Sequence, residues 1–337
     1  MLNACIVGFG AIGPTHARAV AAAEHGQIYA ICDCNKERAD KGAEQYNCRA
    51  LYDFDEVLTE DTIQVVHICT PHYLHVDMAC RALSAGKHVV LEKPAALNQA
   101  DLNRLMEAEK TANGTLCINL QNRFNNCIQT LLNIIKTDDS LGALVGVTGT
   151  QFWQRDEHYY GKSPWHGRWD TEGGSLLCNQ ALHLIDLMHV FAGKANAVRT
   201  SFSNKALEGV IETEDTSDSL LFFENGVRGV FFGSNAYTTS NSVTLELNFE
   251  NVQFRYADRT LYKISSNAPA EIICTDQHPV DGKLVWGSGH RLLIDEFYRY
   301  LSGKGGSYIS LESALPSAKT LLAMYESGKN GGKLVHI

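Results

Sequence analysis

Short apolar runs alternate with helical patterns along the first 120 residues. Residues 3–8, 27–33, 65–69, 88–91 and 116–120 read as strands. The 65–69 run is nearly continuous, as expected of a strand covered on both faces. Between them, residues 14–24, 36–45, 55–58, 74–84 and 99–112 read as helices, with Asn35 and Asn98 placed as N-caps and Gly86 as a stop. Strict alternation of strand and helix predicts an α/β unit built on a doubly wound parallel sheet.

The pattern changes after residue 121. A helix over 126–135 is followed by long alternating segments at 144–153, 197–204, 217–224, 227–234, 243–249 and 252–257. The step Glu224-Asn225-Gly226 is a hairpin signal, so this part is expected to be α+β with a largely antiparallel sheet. Residues 175–191 read as an apolar helix after a glycine turn. Two helices close the chain: 290–301, with Leu293, Phe297 and Tyr300 on one face, and 311–327, ended by Gly328. Pro316 predicts that the first turn of the last helix starts late or is irregular. The change of pattern divides the 337 residues into domains 1–121 and 122–337.

Composition narrows the class. Hydrophobic residues make up 45% and charged residues 20%, which is ordinary for a globular protein. A net charge of -9 argues against nucleic acid as a partner, because such binding needs clustered cations. No run of about 18 apolar residues offers a membrane span. The first segment runs straight into a glycine loop and reads as structure rather than a signal peptide. The ten cysteines are scattered, without a C-x-x-C pair, and read chiefly as small buried hydrophobes. Cys32 and Cys34 flank Asp33, an arrangement suited to a reducing compartment, so a cytoplasmic location is expected.

Gly8-Phe9-Gly10-Ala11-Ile12-Gly13 is a G-x-G-x-x-G run with a strand before it and a helix after it. Asp33 ends the next strand, twenty residues beyond Gly13. Each part has a physical reason: Gly8 for the tight turn, Gly10 for close approach of a pyrophosphate, Gly13 for helix–strand packing. The helix start offers free N–H groups and a positive dipole end to phosphates. Asp33 can accept from both ribose hydroxyls and would repel a 2'-phosphate, and no Arg or Lys immediately follows it. NAD is therefore expected, ahead of NADP, on a Rossmann-type unit.

Thr70-Pro71 lies at the carboxyl end of the apolar strand, where ligands bind in such sheets, although a plain turn would look the same. His72 and His75 read as solvent-facing or helix-starting residues. Glu92-Lys93-Pro94 ends the next strand; alone it is a surface turn, but after a dinucleotide loop its lysine is placed to stabilise a developing alkoxide. In the apolar helix after Gly173-Gly174, Asn179 and His183 are four apart and share a face, and Asp186 lies three beyond His183. Polar groups on such a stripe need partners, and a histidine suits general-base work near neutrality, with a satisfied core histidine as the alternative.

Residues 151–172 concentrate Trp153, Tyr159, Tyr160, Trp165 and Trp169 with Arg155, His158, His166 and Arg168. Aromatic faces stack on sugar rings and Arg holds hydroxyls, carboxylates or phosphates, so the stretch is expected to be a substrate loop; packing or subunit contact is the alternative. Tyr160, Trp165 and Arg168 are its candidate substrate contacts, joined by Arg123, just past the last strand of the first sheet, and His290, opening a late helix. Asp156, Glu157, His158 and His166 lack a third well-spaced ligand, and no metal is expected.

Taken together these residues resemble one family, the glucose–fructose oxidoreductase, inositol dehydrogenase and MocA-type oxidoreductases. The resemblance runs along the whole chain: Gly8–Gly13 with His16, Thr70-Pro71 with His75, Ala85-Gly86-Lys87-His88 leading into Glu92-Lys93-Pro94, and Gly173-Gly174 with Asn179 and His183. It implies a Rossmann domain followed by a domain with an open, mostly antiparallel sheet, often used to form homodimers or homotetramers. It implies cofactor contacts at Gly8, Phe9, Gly10, Ala11, Ile12, Gly13, Asp33, Thr70, Pro71, His75, Glu92 and Lys93. It further implies hydride transfer between NAD(P) and a secondary hydroxyl of a sugar, cyclitol or sugar derivative, with Lys93 and His183 as the catalytic pair. Many members carry Asp where this chain has Asn179; an amide cannot take a proton, so His183 would be the sole base. Two alternatives stay open: NAD-retaining glycoside cleavage by oxidation, elimination and re-reduction, and a non-catalytic dinucleotide-dependent sensor.

Overall fold

The computed structural model describes residues 1–241, 243–277 and 287–337, and every element below lies among them. Six parallel strands form the first sheet: β1 (Leu2–Val7), β2 (Gly26–Cys32), β3 (Arg49–Leu51), β4 (Val65–Ile68), β5 (His88–Glu92) and β6 (Leu116–Asn119). Their order is β3-β2-β1-β4-β5-β6, so the winding reverses between β1 and β4, the position where doubly wound sheets bind ligands. Ala4–Val7 and all of β4 are buried, as their unbroken apolar character requires. The helices are α1 (Gly13–Ala22), α2 (Lys36–Tyr46), α3 (Phe54–Thr59), α4 (His75–Ser84) and α5 (Gln99–Thr111). Asn35 and Asn98 cap α2 and α5 as expected, accepting from the Arg38 and Asp101 N–H groups. Strand β3 was not anticipated; three residues are too short to show a period.

The second unit begins with α6 (Asn126–Thr137), β7 (Leu144–Phe152) and the short α7 (Glu157–Tyr160). The apolar stretch expected as one helix opens with a π turn (Leu176–Ala181) and continues as α8 (Leu182–Ala192). The strands β8 (Ala195–Ser203), β9 (Thr216–Phe223), β10 (Arg228–Ser234), β11 (Thr244–Phe249), β12 (Gln253–Ala257), β13 (Thr260–Ile264) and β14 (Glu271–Thr275) follow. The sheet runs β14-β13-β12-β11-β7-β10-β9-β8, and a short last strand described below pairs with β8. Its neighbours are antiparallel except β7 and β10, which run parallel. The β9–β10 hairpin turns on Gly226 at φ 86°, the backbone its Asn-Gly signal demands. Gly149 of β7 admits α8, since a Cβ there would stand 3.1 Å from Leu184 and Met188. Strands β13 and β14 escaped the sequence because neither face is cleanly buried, leaving no apolar alternation to read.

Three features of the carboxyl-terminal stretch differ from expectation. α9 (Gly289–Leu301) lies on α1, and the Ile118 N–H bonds to the Ile309 carbonyl at 2.8 Å, so residues 288–314 belong to the first unit rather than to a contiguous 122–337. Tyr298, not Tyr300, joins Leu293 and Phe297 on the buried face of α9; Tyr300 is 43% exposed. α10 (Leu311–Lys329) begins on time with Pro316 inside it and runs through Gly328, where a Cβ would strike the Phe202 ring at 2.1 Å. The chain ends in β15 (Val335–His336).

Candidate active site

The candidate residues fall into two groups, one in each unit. In the first unit the glycine loop follows β1. Gly8 sits at φ 88°, and a Cβ there would meet the Cys69 carbonyl at 2.7 Å, so the loops after β1 and β4 pack backbone to backbone. A Cβ on Gly13 would stand 2.3 Å from the Gly8 carbonyl, whereas a Cβ on Gly10 would meet only open space. Helix α1 starts at this loop with neither a capping side chain nor an acidic residue in its first turn. That leaves Ala11, Ile12 and the first turn of α1 suited to an anion. Phe9 turns its ring toward α2 and gives its N–H to Asp33 Oδ2 at 2.8 Å.

Asp33 ends β2, nearly buried. Its Oδ1 accepts from the Asn35 N–H at 2.8 Å and from Arg38 Nη2 at 3.0 Å. A cation therefore does reach Asp33, from the first turn of α2 instead of from the residue immediately after it. The capping turn at Asn35 brings Arg38 back, a contact that depends on the fold of the turn and not on adjacency to Asp33. The discrimination expected of Asp33 is correspondingly softened.

Thr70 and Pro71 follow β4, and His75 begins α4. Of the two readings of His72 and His75, the helix-starting one holds and the solvent-facing one does not: His72 opens a 3-10 turn, His75 opens α4, and both are buried. His75 lies between two carbonyls, Nδ1 3.0 Å from Pro94 O and Nε2 3.0 Å from Thr70 O, and so ties the loop after β4 to the loop after β5. Burial lowers its pKa, with these two carbonyls acting against the shift.

Glu92 and Lys93 end β5. Glu92 Oε1 accepts from His16 Nε2 at 2.8 Å and from Asn119 Nδ2, while Oε2 faces the Lys93 N–H at 3.2 Å. Burial pushes this carboxyl up, but the His16 hydrogen bond, with His290 and Lys93 also near, prevails and holds it well below the usual range. His290, a sequence candidate for substrate contact, is instead buried with Nε2 3.9 Å from Glu92 Oε1. Burial pulls it down to about 3, against the attraction of Glu92. His16, Glu92 and His290 bring one donor atom each within 4.8 Å, a set of metal-ligating types that sequence spacing did not foresee.

In the second unit, Gly173 and Gly174 have φ of 81° and 145°, and the Tyr325 hydroxyl lies 1.7 Å from where a Gly174 Cβ would be. Glu214 Oε1 accepts from the Ser175 and Leu177 N–H groups, and Tyr325 bridges Glu214 to the Cys178 N–H. The orphan donors at the helix start are thus satisfied by remote side chains. Burial raises the pKa of Glu214, with these donors opposing the shift. From Gly174 to His189 every residue is buried except Asn179 and His183, which are partly exposed. Asn179 Nδ2 donates to Glu172 Oε1 at 2.6 Å. Glu172 is fully buried and also accepts the Gly167 N–H at 2.5 Å; it closes the aromatic segment and was not singled out in the sequence. Asp186, offered to His183 by spacing, is gripped at 2.7 and 2.6 Å by Arg123 Nε and Nη2 and accepts from Ser317 at 2.9 Å. Arg123 is thereby a clamp on α8, a role that its position in the sequence did not indicate.

The aromatic segment divides. Tyr160 is buried, its hydroxyl bonded to Ser175 and Asn235, and burial raises its pKa; it packs rather than presents itself. Arg168 is exposed and pairs with Glu212 at 2.9 Å. Trp165 is half-buried, its ring 4.0 Å from that of His166.

Comparison with known proteins agrees with this layout. Residues 2–120 match the family described as "Oxidoreductase family, NAD-binding Rossmann fold" (GFO_IDH_MocA), and residues 128–255 match the "GFO/IDH/MocA C-terminal domain". Inositol 2-dehydrogenase of Salmonella paratyphi B is 31% identical over 192 residues, 56% of this chain and 54% of that protein. The match thus spans about half the length of that relative. Levoglucosan dehydrogenase of Pseudarthrobacter phenanthrenivorans is 25% identical over 281 residues, 73% of this chain and 71% of the relative. The WlbA dehydrogenase of Bordetella pertussis, solved in complex with NADH and UDP-GlcNAcA, superposes with a TM-score of 0.88 at 26% identity, covering 100% of this chain and 97% of that one.

Proposed function

The chain belongs to the GFO/IDH/MocA oxidoreductase family, and from that premise we propose that it transfers a hydride between NAD and a ring hydroxyl of a sugar, cyclitol or sugar derivative. The residues present fit the dinucleotide: the space over Gly10, the uncapped start of α1 and the Asp33 carboxylate suit a pyrophosphate and a ribose. Gly8–Gly13, Asp33, Thr70, Pro71, His75, Glu92 and Lys93 would hold it. When bound, the nicotinamide exchanges a hydride with the substrate carbon.

The protein's own groups move the proton and stabilise the charge. His183 takes the hydroxyl proton as general base. Lys93, at the start of the loop after β5, serves as the cation that stabilises alkoxide charge. Asn179, anchored on Glu172, orients the substrate or His183. The observation that carries this reading is the exposure of Asn179 and His183 alone in a buried stretch of sixteen residues, 174–189. Trp165 and Arg168 are the substrate contacts that their exposure still supports. A panel of sugars, sugar acids, cyclitols and sugar nucleotides tests it: NADH forms with at least one member. Turnover of a glycoside with co-purifying NAD and no NADH would instead favour redox-assisted cleavage.

The outer face of the second sheet supports a homodimer or homotetramer. Leu220 and Val230 stand opposite each other across β9 and β10, 46% and 44% exposed, with Phe232 and Tyr237 beside them. Phe152 joins this apolar patch, stacking on Tyr237 at 4.3 Å. Such a patch on one sheet face suits a second copy of the chain. Ten free thiols fit a reducing, cytoplasmic setting. Among the described residues no helix is long and apolar enough to cross a membrane.

A further inference from the structure

Behind Glu92 the first unit holds a buried row of polar side chains drawn from five elements: His16 of α1, His67 of β4, Glu92 of β5, Asn119 of β6, and His290 and Tyr298 of α9. The contacts run in series. Tyr298 Oη is 2.9 Å from His67 Nε2, His67 Nδ1 is 2.9 Å from His16 Nδ1, and His16 Nε2 is 2.8 Å from Glu92 Oε1. Gly26 makes room for the first member, since a Cβ there would stand 2.8 Å from the Tyr298 ring.

The direction of the protons follows from counting donors. An ionised carboxylate only accepts, so His16 Nε2 carries a proton. Tyr298 is fully buried and, among the described residues, its hydroxyl has His67 Nε2 as its hydrogen-bond partner, so the hydroxyl donates there. With its Nε2 accepting from Tyr298 and burial disfavouring the charged ring, His67 carries its one proton on Nδ1 and gives it to His16 Nδ1. Every hydrogen of the row therefore points toward Glu92.

We propose that Tyr298, His67 and His16 form a one-directional hydrogen-bond relay that fixes the Glu92 carboxylate beside Lys93, and that His16 is a positioning residue for the reaction. This rests on the reading of Lys93 as the cation that stabilises alkoxide charge. With His16 and Asn119 on one oxygen and the Lys93 N–H on the other, the carboxylate can neither rotate nor be left without donors. A fixed negative charge there anchors the backbone of Lys93 and faces its ammonium. A divalent ion on the three donors is the rival arrangement; it would place further positive charge beside Lys93 and displace the His16–Glu92 bond.

His16→Leu and His16→Gln test the relay, because the glutamine amide can replace the Nε2–H donor. His16→Leu is expected to lower kcat by about 100-fold through misplacement of Lys93, and His16→Gln to recover most of it. Removing the donor raises the Glu92 pKa, so the acid limb of the kcat–pH profile of His16→Leu moves to higher pH. The charged or titratable groups around Glu92 are His16, His67, His290, Lys93, His75 and Cys69, and His16→Leu alters His16 alone. Tyr298→Phe, which keeps the volume, shifts the limb the same way by less and serves if His16→Leu does not fold. A wild-type kcat and profile in folded His16→Leu overturns the relay, as does His16→Gln as impaired as His16→Leu. If His16→Leu fails to fold, an unchanged Tyr298→Phe overturns it. Stoichiometric zinc in the purified enzyme, lost on His16→Gln, overturns it in favour of the metal. Lys93→Met with retained turnover overturns the Lys93 reading itself; Lys93→Met inactive beside an unchanged His16→Leu overturns the relay alone.

Discussion

Asp33 shows what a single carboxylate does in this fold. Its two oxygens take N–H groups from Phe9 and Asn35, which lock it at the end of β2, and Arg38 shares Oδ1. A group so held is pre-organised to accept from ribose hydroxyls without losing side-chain freedom on binding. Asp33→Ala is expected to weaken NAD on the order of 10- to 100-fold, the worth of about one hydrogen bond to a charged group, while NADP affinity changes less or rises because Arg38 is released. Titration of both dinucleotides checks it, and equal losses would refute the role of Asp33. The sequence announced Asp33 through its distance from Gly13. It did not announce Arg38, whose approach depends on the turn capped by Asn35, nor Glu172, whose pairing with Asn179 joins two segments by tertiary folding.

At the scale of elements, the helix that carries Asn179 and His183 is built from outside. Its first turn is π-helical, and its early N–H groups are taken by Glu214 and Tyr325. An apolar period reveals such a helix but not the kind of turn that opens it, because no local residue supplies the cap. π turns occur often at functional sites, and here the turn sets the register of Asn179. Gly174→Ala would drive a methyl into the Tyr325 hydroxyl and needs a φ that alanine rarely adopts. The expected result is destabilisation of about 2–4 kcal/mol, from strain plus lost hydrogen bonds, together with reduced turnover. Denaturant unfolding and steady-state kinetics measure both; an unchanged midpoint would show that the turn does not depend on this packing. The parallel strands other than β3, and the capped helices of the first unit, were legible because each declares itself locally. Helix α9 was legible as a helix but not as a part of the first unit, since its partner α1 lies far away in the chain.

For the molecule as a whole, the second sheet leaves apolar side chains on the face opposite α8. Alternation in β9 and β10 shows which residues point outward, but only the pairing of Leu220 with Val230 shows that they form one patch. Phe232→Glu in that patch is expected to shift a homodimer or homotetramer toward monomer, through the cost of burying an unpaired charge. Sedimentation velocity of wild type and variant decides it, and an unchanged mass would remove the patch from the interface.

The central claim is that Lys93 and His183 are each required for oxidation of a hydroxyl, with NAD as the hydride partner. The most direct measurement is turnover of Lys93→Met and His183→Ala on a substrate that the wild type oxidises, alongside NAD binding by each variant. The account predicts that both variants bind NAD and that both lose turnover by about a thousandfold or more, as expected for loss of acid–base or electrostatic groups. Variants that keep near wild-type turnover would contradict it.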